Sequence, residues 1–282
     1  MKLADFHTHS SCSDGTLTPE LLIELAGRQG LSAIALTDHD TLSGISQAMA
    51  AAARCQIELV PGIEFSTVYG KQDIHIVGLD VDPNNTSLRD EITRLQQERR
   101  ERNLKIIRRM ADDGILISET SMMEEFGDTI WTRAHFARYL AAHGYVPTMA
   151  DAFRTHIGEH CKYYVPRERI SPFETVQIIR STGGIPILAH PFQYHLPEPE
   201  LTHLLRELKQ SGLIGVEALY STHTPEQENL IRKLARHLDL CISGGSDFHG
   251  DNKPDIQLGC GRGNLKIPYE LLTQMRTYKN TH

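Results

Sequence analysis

The chain is expected to adopt an α/β fold, with short apolar strands alternating with helices around one large core. Three observations predict it. Apolar runs too short for helices recur along the sequence; helix-start signals stand between them; and 282 residues suffice for one large α/β domain, or for one that carries a smaller insertion. Leu3–Phe6 is the first strand. Thr18-Pro19-Glu20 then opens a helix, with Thr18 as N-cap and Pro19 at the first helical position, where its missing N–H costs nothing. Ser32–Leu36 is the second strand, followed by an alanine-rich helix over 47–53. Further strands are expected at Ile57–Pro61 and Ile74–Leu79 and, after a long gap, at Ile185–Ala189, Gly215–Leu219 and Leu240–Ser243. That makes about seven strands, expected to be parallel because helices separate them. Ser171-Pro172-Phe173-Glu174 and Thr224-Pro225-Glu226-Gln227 both have the capping-box arrangement.

Between 86 and 168 the strand signal disappears. Helical stretches replace it at Leu88–Asp113, at Trp131–His143 and, more weakly, at Met149–Ile157. The segment 86–168 therefore reads as a helical insertion, expected over the mouth of a barrel domain formed by 1–85 and 169–282. Leu196-Pro197-Glu198-Pro199 reads as a surface loop.

Hydrophobic content of 40% and charged content of 23% are ordinary for a globular protein, and no apolar stretch approaches the roughly 20 residues of a membrane span. The amino-terminal MKLADFHTHSS lacks the apolar region of a secretory signal, so a cytoplasmic protein is expected. Five cysteines without a C-x-x-C pair suit a reducing compartment and argue against thiolate metal sites. A net charge of −7 argues against a general nucleic-acid binder.

Function is concentrated in short words: His7-Thr8-His9, Ser13-Asp14-Gly15, Thr37-Asp38-His39-Asp40, Pro61-Gly62-Ile63-Glu64, Ile74-His75-Ile76, Ala189-His190-Pro191 and Gly245-Ser246-Asp247-Phe248-His249. Neutral imidazole and carboxylate are favoured ligands of Zn, Mn and Fe. In a β/α barrel the residues just beyond each strand gather at one face, and His7, His39, Glu64, His190 and Asp247 are expected there. His75 lies inside its strand and must point into the barrel. A lone histidine among 15 is more often a surface or core residue than a ligand, but the full set reverses that expectation. Three divalent ions held by three carboxylates would leave a local charge of about +3, attractive to phosphate even in an acidic protein.

These words resemble the signatures of the PHP (polymerase and histidinol phosphatase) superfamily. The resemblance implies a distorted seven-stranded β/α barrel holding three divalent metal ions, with all nine ligand positions filled: His7, His9, Asp14, His39, Glu64, His75, His190, Asp247 and His249. One ion would take His7, His9, Glu64 and Asp247; a second would share the bridging Glu64 and add His75 and His190; a third would take Asp14, His39 and His249. Many relatives have a histidine where Asp14 stands. Manganese is expected, and ligand type also permits zinc or iron. Thr132-Arg133-Ala134-His135-Phe136-Ala137-Arg138 and Cys161-Lys162-Tyr163-Tyr164-Val165-Pro166 resemble segments of the nucleoside-3',5'-bisphosphate phosphatase and 5'-to-3' exoribonuclease group, so the resemblance spans essentially the whole chain.

That branch implies hydrolysis of the 3'-phosphate of nucleoside 3',5'-bisphosphates and stepwise release of 5'-mononucleotides from the 5' end of short RNA or DNA. Glu64, Asp247 and His190 would be catalytic. Arg133 offers a planar fork for phosphate oxygens and Lys162 a point charge, although both also read as solvated surface. His135 is expected either to hydrogen-bond a phosphate or to pack against its own helix turn. Tyr220-Ser221-Thr222-His223 follows a strand and is expected to reach sugar or base, with His223 as the binding residue, although a capped helix start at Thr224-Pro225 explains the segment equally well. The run Arg99, Arg100, Arg102, Lys105, Arg108 and Arg109 is interrupted by Glu101 and backed by Ile92, Leu95, Leu104 and Ile107, so it is expected to be the wet side of an amphipathic helix rather than an RNA guide. Cys12 and Cys161 have no histidine dedicated to activating a thiolate. The rival readings are a histidinol-phosphate-type phosphatase of small molecules, a more distant C–N hydrolase, and a non-catalytic metal-binding PHP module. No membrane or protein partner is implied.

Overall fold

In the computed structural model, which describes residues 1–70, 72–166 and 170–281, the elements follow in the order β1 (Ala4–Asp5), α1 (Pro19–Arg28), β2 (Ala33–Leu36), α2 (Ile45–Cys55), β3 (Glu58–Tyr69) and β4 (Gln72–Leu79). Four helices come next: α3 (Thr86–Asp112), α4 (Glu119–Phe126), α5 (Arg133–Ala142) and α6 (Met149–Ala152), the last running into a π-helical turn at Phe153–Ile157. The remainder is α7 (Pro172–Ser181), β5 (Ile185–Leu188), α8 (Glu198–Gln210), β6 (Gly215–Tyr220), α9 (Pro225–His237), β7 (Cys241–Gly245) and α10 (Glu270–Thr281). The chain divides into two compact units, Met1–Arg89 with Arg169–His282, and Asp90–Glu168.

In the first unit all seven strands form one sheet in sequence order. The sheet curls until its edges meet, with Phe6 N–H donating to Gly244 O at 3.2 Å, Asp247 N–H to His7 O at 2.9 Å and His9 N–H to Phe248 O at 3.0 Å. Phe6, Ala35, Val60, Val77, Ile187 and Ile267 are fully buried in its core. The predicted caps form: Thr18 accepts from Leu21 N–H, and Ser171 and Thr224 complete capping boxes with Glu174 and Gln227.

The expectation of uniformly parallel strands needs correction. β4 runs antiparallel to both β3 and β5, while the other pairs are parallel. The physical reason lies in the connection: no helix stands between β3 and β4, so the chain doubles back in a hairpin near Gly70, whose φ is +61°. β3 also runs well past Pro61, because Ile63-Glu64-Phe65-Ser66-Thr67-Val68 is itself strand-forming, and Glu64 therefore lies inside a strand rather than beyond its end.

Three helices were not expected. α8 begins at Glu198 inside the piece read as a loop, because Pro199 falls in the first turn, where backbone N–H groups have no intrahelical partner. Its Leu201, Leu204, Leu205 and Leu208 form one buried stripe. α10 buries Leu271, Leu272 and Met275 in the same way, and α4 starts at a capping box on Ser118.

In the second unit Ile106, Met110, Met122, Trp131, Phe136 and Leu140 belong to a separate apolar core. The basic run on α3 is not uniformly its wet side. Arg99 and Arg102 are buried, at 5% and 6% exposure, whereas Arg100, Lys105, Arg108 and Arg109 are exposed. The steps Leu95, Arg99, Arg102 and Ile106 keep helical spacing, so the two arginines continue the buried stripe, their long aliphatic stems standing where apolar residues would. Among the described residues no helix is long and apolar enough to cross a membrane.

Candidate metal centre

The words at the strand ends are tied to one another by backbone and hydroxyl hydrogen bonds. Thr8 Oγ1 donates to Ala35 O at 2.6 Å, and Thr37 Oγ1 donates to Thr8 O at 3.0 Å. Asp38 accepts from Ser10 N–H at 2.8 Å and from the hydroxyls of Ser10 and Ser13, each at 2.6 Å, which folds the Ser13-Asp14-Gly15 loop back onto the second strand. Gly15 is required there: a Cβ would stand 2.4 Å from His9 O. Asp40, at a left-handed φ of 50° that aspartate tolerates, accepts from Ser66 N–H at 3.0 Å and ties its word to β3.

These ties bring all nine predicted ligands together. Glu64 stands at the middle. Its Oε2 lies 3.3 Å from His7 Nε2, 3.2 Å from His9 Nε2 and 3.0 Å from His39 Nδ1, and its Oε1 lies 2.8 Å from His75 Nδ1 and 3.0 Å from His190 Nε2. Asp247 Oδ1 faces His7 Nε2 at 3.7 Å, His9 Nε2 at 3.4 Å and His249 Nδ1 at 3.4 Å. Asp14 lies 3.3 Å from His249 Nε2, 3.7 Å from His39 Nε2 and 3.8 Å from His9 Nδ1. His39 and His75 are half-buried; the other seven are buried.

The electrostatics are those of a cradle made for cations. Burial works to raise the carboxyls of Glu64, Asp14 and Asp247, but the imidazoles around them, and Lys253 beside Asp247, outweigh it and hold all three well below the usual carboxylate range. Burial likewise opposes charge on His9, yet the carboxylates of Asp247 and Glu64 facing it push its ring up to about 9; burial brings His39 down to about 3. The nitrogens His7 Nε2, His9 Nε2 and His39 Nδ1 are buried with no hydrogen-bond partner, although each faces a carboxylate. Buried polar atoms are seldom left so. Imidazole lone pairs and ionised carboxylates converging on shared space fit divalent ions of the zinc, manganese or iron type. Four groups of this set each have donor atoms within 4.8 Å of one another: His9, Asp14, His39 and His249; His7, Glu64 and His190; His7, His9 and Asp247; and His39, Glu64 and His75.

The remaining predicted site residues have other neighbours. His223 Nδ1 lies 3.0 Å from Ala218 O, its Nε2 is buried without a partner, and its ring packs 5.1 Å from Tyr220. In the second unit Arg133 stands over the Tyr164 ring at 5.7 Å, and Lys162, largely exposed, pairs with Asp113. His135 is buried; its Nδ1 accepts from Thr132 N–H at 3.0 Å to complete the capping box of α5, and its ring packs edge-on to Phe126 at 5.0 Å. Burial pushes the Cys12 thiol up, away from a thiolate nucleophile.

Sequence reasoning gave no role to Glu217 or Lys253, and to Tyr220 only a place in the word expected to reach sugar or base. Tyr220 Oη and Lys253 Nζ each donate to Asp247 Oδ2 at 2.6 Å. A charged residue in the middle of the apolar run Gly215–Leu219 was a readable signal for Glu217; Lys253, in a loop, had none.

A PHP domain model matches residues 5–157. The chain is 34% identical over 248 residues to a 5'-3' exoribonuclease of Haemophilus influenzae, covering 88% of this chain and 90% of that one. It is 32% identical over 259 residues to a 3',5'-nucleoside bisphosphate phosphatase of Chromobacterium violaceum, covering 90% of each. A solved structure from Bifidobacterium adolescentis, described as a metal-dependent phosphoesterase, superposes with a TM-score of 0.88 at 28% identity, covering 98% of this chain and 96% of that one. The barrel, the clustered imidazoles and carboxylates and these likenesses together make the chain a member of the PHP family of metal-dependent phosphoesterases.

Proposed function

We propose that this protein hydrolyses the 3'-phosphate of nucleoside 3',5'-bisphosphates and releases 5'-mononucleotides from the 5' end of short RNA or DNA, using three divalent ions, manganese foremost. The observation that carries this is the convergence of five imidazoles on the two oxygens of Glu64, with three ring nitrogens left without hydrogen-bond partners. The names of the Haemophilus and Chromobacterium relatives support the choice of substrates.

His7, His9, Glu64 and Asp247 would hold one ion, Glu64, His75 and His190 a second, and Asp14, His39 and His249 a third. Bound there, such ions supply Lewis-acid polarisation of a phosphate ester and of water. The protein's own part is placement. Glu64 faces five rings at once and so fixes their spacing; Asp247 keeps Oδ1 toward the cradle because Tyr220 and Lys253 occupy Oδ2. His223, kept neutral by burial and with Nδ1 turned to Ala218 O, offers Nε2 as an acceptor for a ribose hydroxyl. Arg133, and Lys162 on release from Asp113, would grip a second phosphate of the substrate.

The test adds manganese to the purified protein. Phosphate release from adenosine 3',5'-bisphosphate and mononucleotide release from 5'-phosphorylated RNA are expected. Turnover of neither, with turnover of histidinol phosphate, would replace this reading with the small-molecule one.

A further inference from the structure

Glu217 lies in the middle of β6 and is 2% exposed. Its two oxygens serve two different ligand words. Oε1 lies 3.1 Å from His7 Nδ1, and Oε2 accepts from the backbone N–H of His190 at 2.7 Å. At Oε1 the carboxylate accepts, so this contact places a proton of His7 on Nδ1 and turns Nε2 toward Glu64 and Asp247. The contact at Oε2 holds His190 at φ 25° and ψ 60°, a backbone conformation that a residue with a Cβ adopts only when its surroundings impose it. From that position His190 Nε2 reaches Glu64 Oε1.

We propose that Glu217 is the positioning residue of the metal centre, setting the tautomer of His7 and the backbone of His190 so that both rings present Nε2 to Glu64, the carboxylate shared by the two ions they would hold. The inference rests on the metal-binding reading above. Buried Asp5 offers the contrast: its oxygens accept from the N–H groups of His7, Ser246 and Gly259 and meet no ring, which is the pattern of a carboxylate that only shapes the backbone. Glu217 spends one oxygen on an imidazole. The neighbouring strand makes room for that contact, since a Cβ on Gly245 would stand 2.1 Å from His7 Cβ and 2.8 Å from Glu217 Oε1.

Glu217→Gln keeps the shape and replaces one acceptor with a donor. The amide then faces either His7 Nδ1–H or His190 N–H with its own N–H. Manganese(II) titration followed by electron paramagnetic resonance, on wild type and on folded Glu217→Gln, is expected to show tight binding in the first and affinity weakened by about 10- to 100-fold in the second. Independently, zinc-loaded wild-type protein labelled with 15N-histidine should show His7 protonated at Nδ1 and not at Nε2, the resonance assigned through its loss in His7→Gln. Equal manganese affinity in the two proteins would overturn the role of Glu217 while leaving the metal reading intact. A proton on His7 Nε2 would overturn it even if the variant failed to fold. A wild-type protein that bound neither ion would overturn both.

Discussion

Replacing Glu64 with glutamine tests the centre at its most connected point. Both oxygens of this buried side chain are engaged, one with three imidazole nitrogens within 3.3 Å and the other with two within 3.0 Å. In the metal-free protein the substitution removes a negative charge that His7 and His9, both raised in pKa, require as counter-charge. Breaking a buried ion pair by removing one partner costs about 3–5 kcal/mol. At roughly 2–4 °C per kcal/mol for a chain somewhat shorter than this one, the melting temperature of the chelated protein should fall by about 10 °C. The loaded protein loses more than stability, because an amide brings no charge to the ions and at least one of its ends is a donor. A loss of about 3–5 kcal/mol at the reacting centre corresponds to roughly 10²- to 10⁴-fold in rate. Three measurements on one preparation decide the matter: melting with and without chelator, manganese per chain after desalting, and phosphate release from adenosine 3',5'-bisphosphate. Glu64→Gln with an unchanged metal count and undiminished turnover would refute the placement of Glu64 as the shared ligand.

Gly245→Ala should behave as a packing lesion, since its Cβ would meet His7 Cβ at 2.1 Å; a loss of about 3 kcal/mol in a denaturant melt, with weaker manganese binding, is expected, and wild-type behaviour would show that the β7 end is loosely held. The chelated protein should become less stable on the alkaline side. The His9 ring is raised from 6.5 to about 9, so its contribution is fully present below 6.5 and is lost as pH rises through 9; on the order of 3 kcal/mol is involved, and His7 shifts in the same direction. Manganese should oppose that trend, because the ion displaces those protons and binds more tightly as pH rises from 6.5 to 9; melting curves at several pH values, with and without metal, would expose a failure of either sign. Arg133→Ala should chiefly weaken selection for a 5'-phosphorylated RNA end, and a wild-type protein that cleaves 5'-phosphorylated and 5'-hydroxyl RNA equally fast would remove the anchor.

The clustering of the candidate ligands was legible because metal chemistry restricts residue type and because strand ends have a simple signature. His7, His190 and Asp247 each follow an apolar run that a strand fills, and the structure ends β1, β5 and β7 within two residues of them. What was not legible depends on contacts distant in sequence. The reversal of β4 rests on a hairpin whose turn, around Gly70, gives no stronger signal than many surface glycines. The burial of Arg99 and Arg102 opposes the usual preference of arginine for solvent and follows only from their register on α3. The cap that His135 makes was not legible either, because histidine is not the usual third-position partner of a capping threonine; the Thr132 N–H to Nδ1 contact shows it.

The reversed strand that sequence reasoning missed is also what the centre most requires. Ligands delivered only by parallel strand ends would line a rim and leave the middle without a shared carboxylate. In the β3–β4 hairpin Glu64 pairs with Val77 and Ser66 with His75, so Glu64 and His75 are diagonal neighbours on one face of the ladder. Their side chains meet there at 2.8 Å. A slip of one residue in this register would turn one of them to the opposite face and separate the pair, because side-chain direction alternates along a strand. The register is held from both sides. Phe65 and Ile76, paired in the ladder, are fully buried on the other face, and Ser66 N–H is bound by Asp40 in the word that carries His39. The apolar core behind the hairpin thereby fixes where the central carboxylate stands, and a destabilising change at Phe65 or Ile76 should reach the metal centre without touching a ligand.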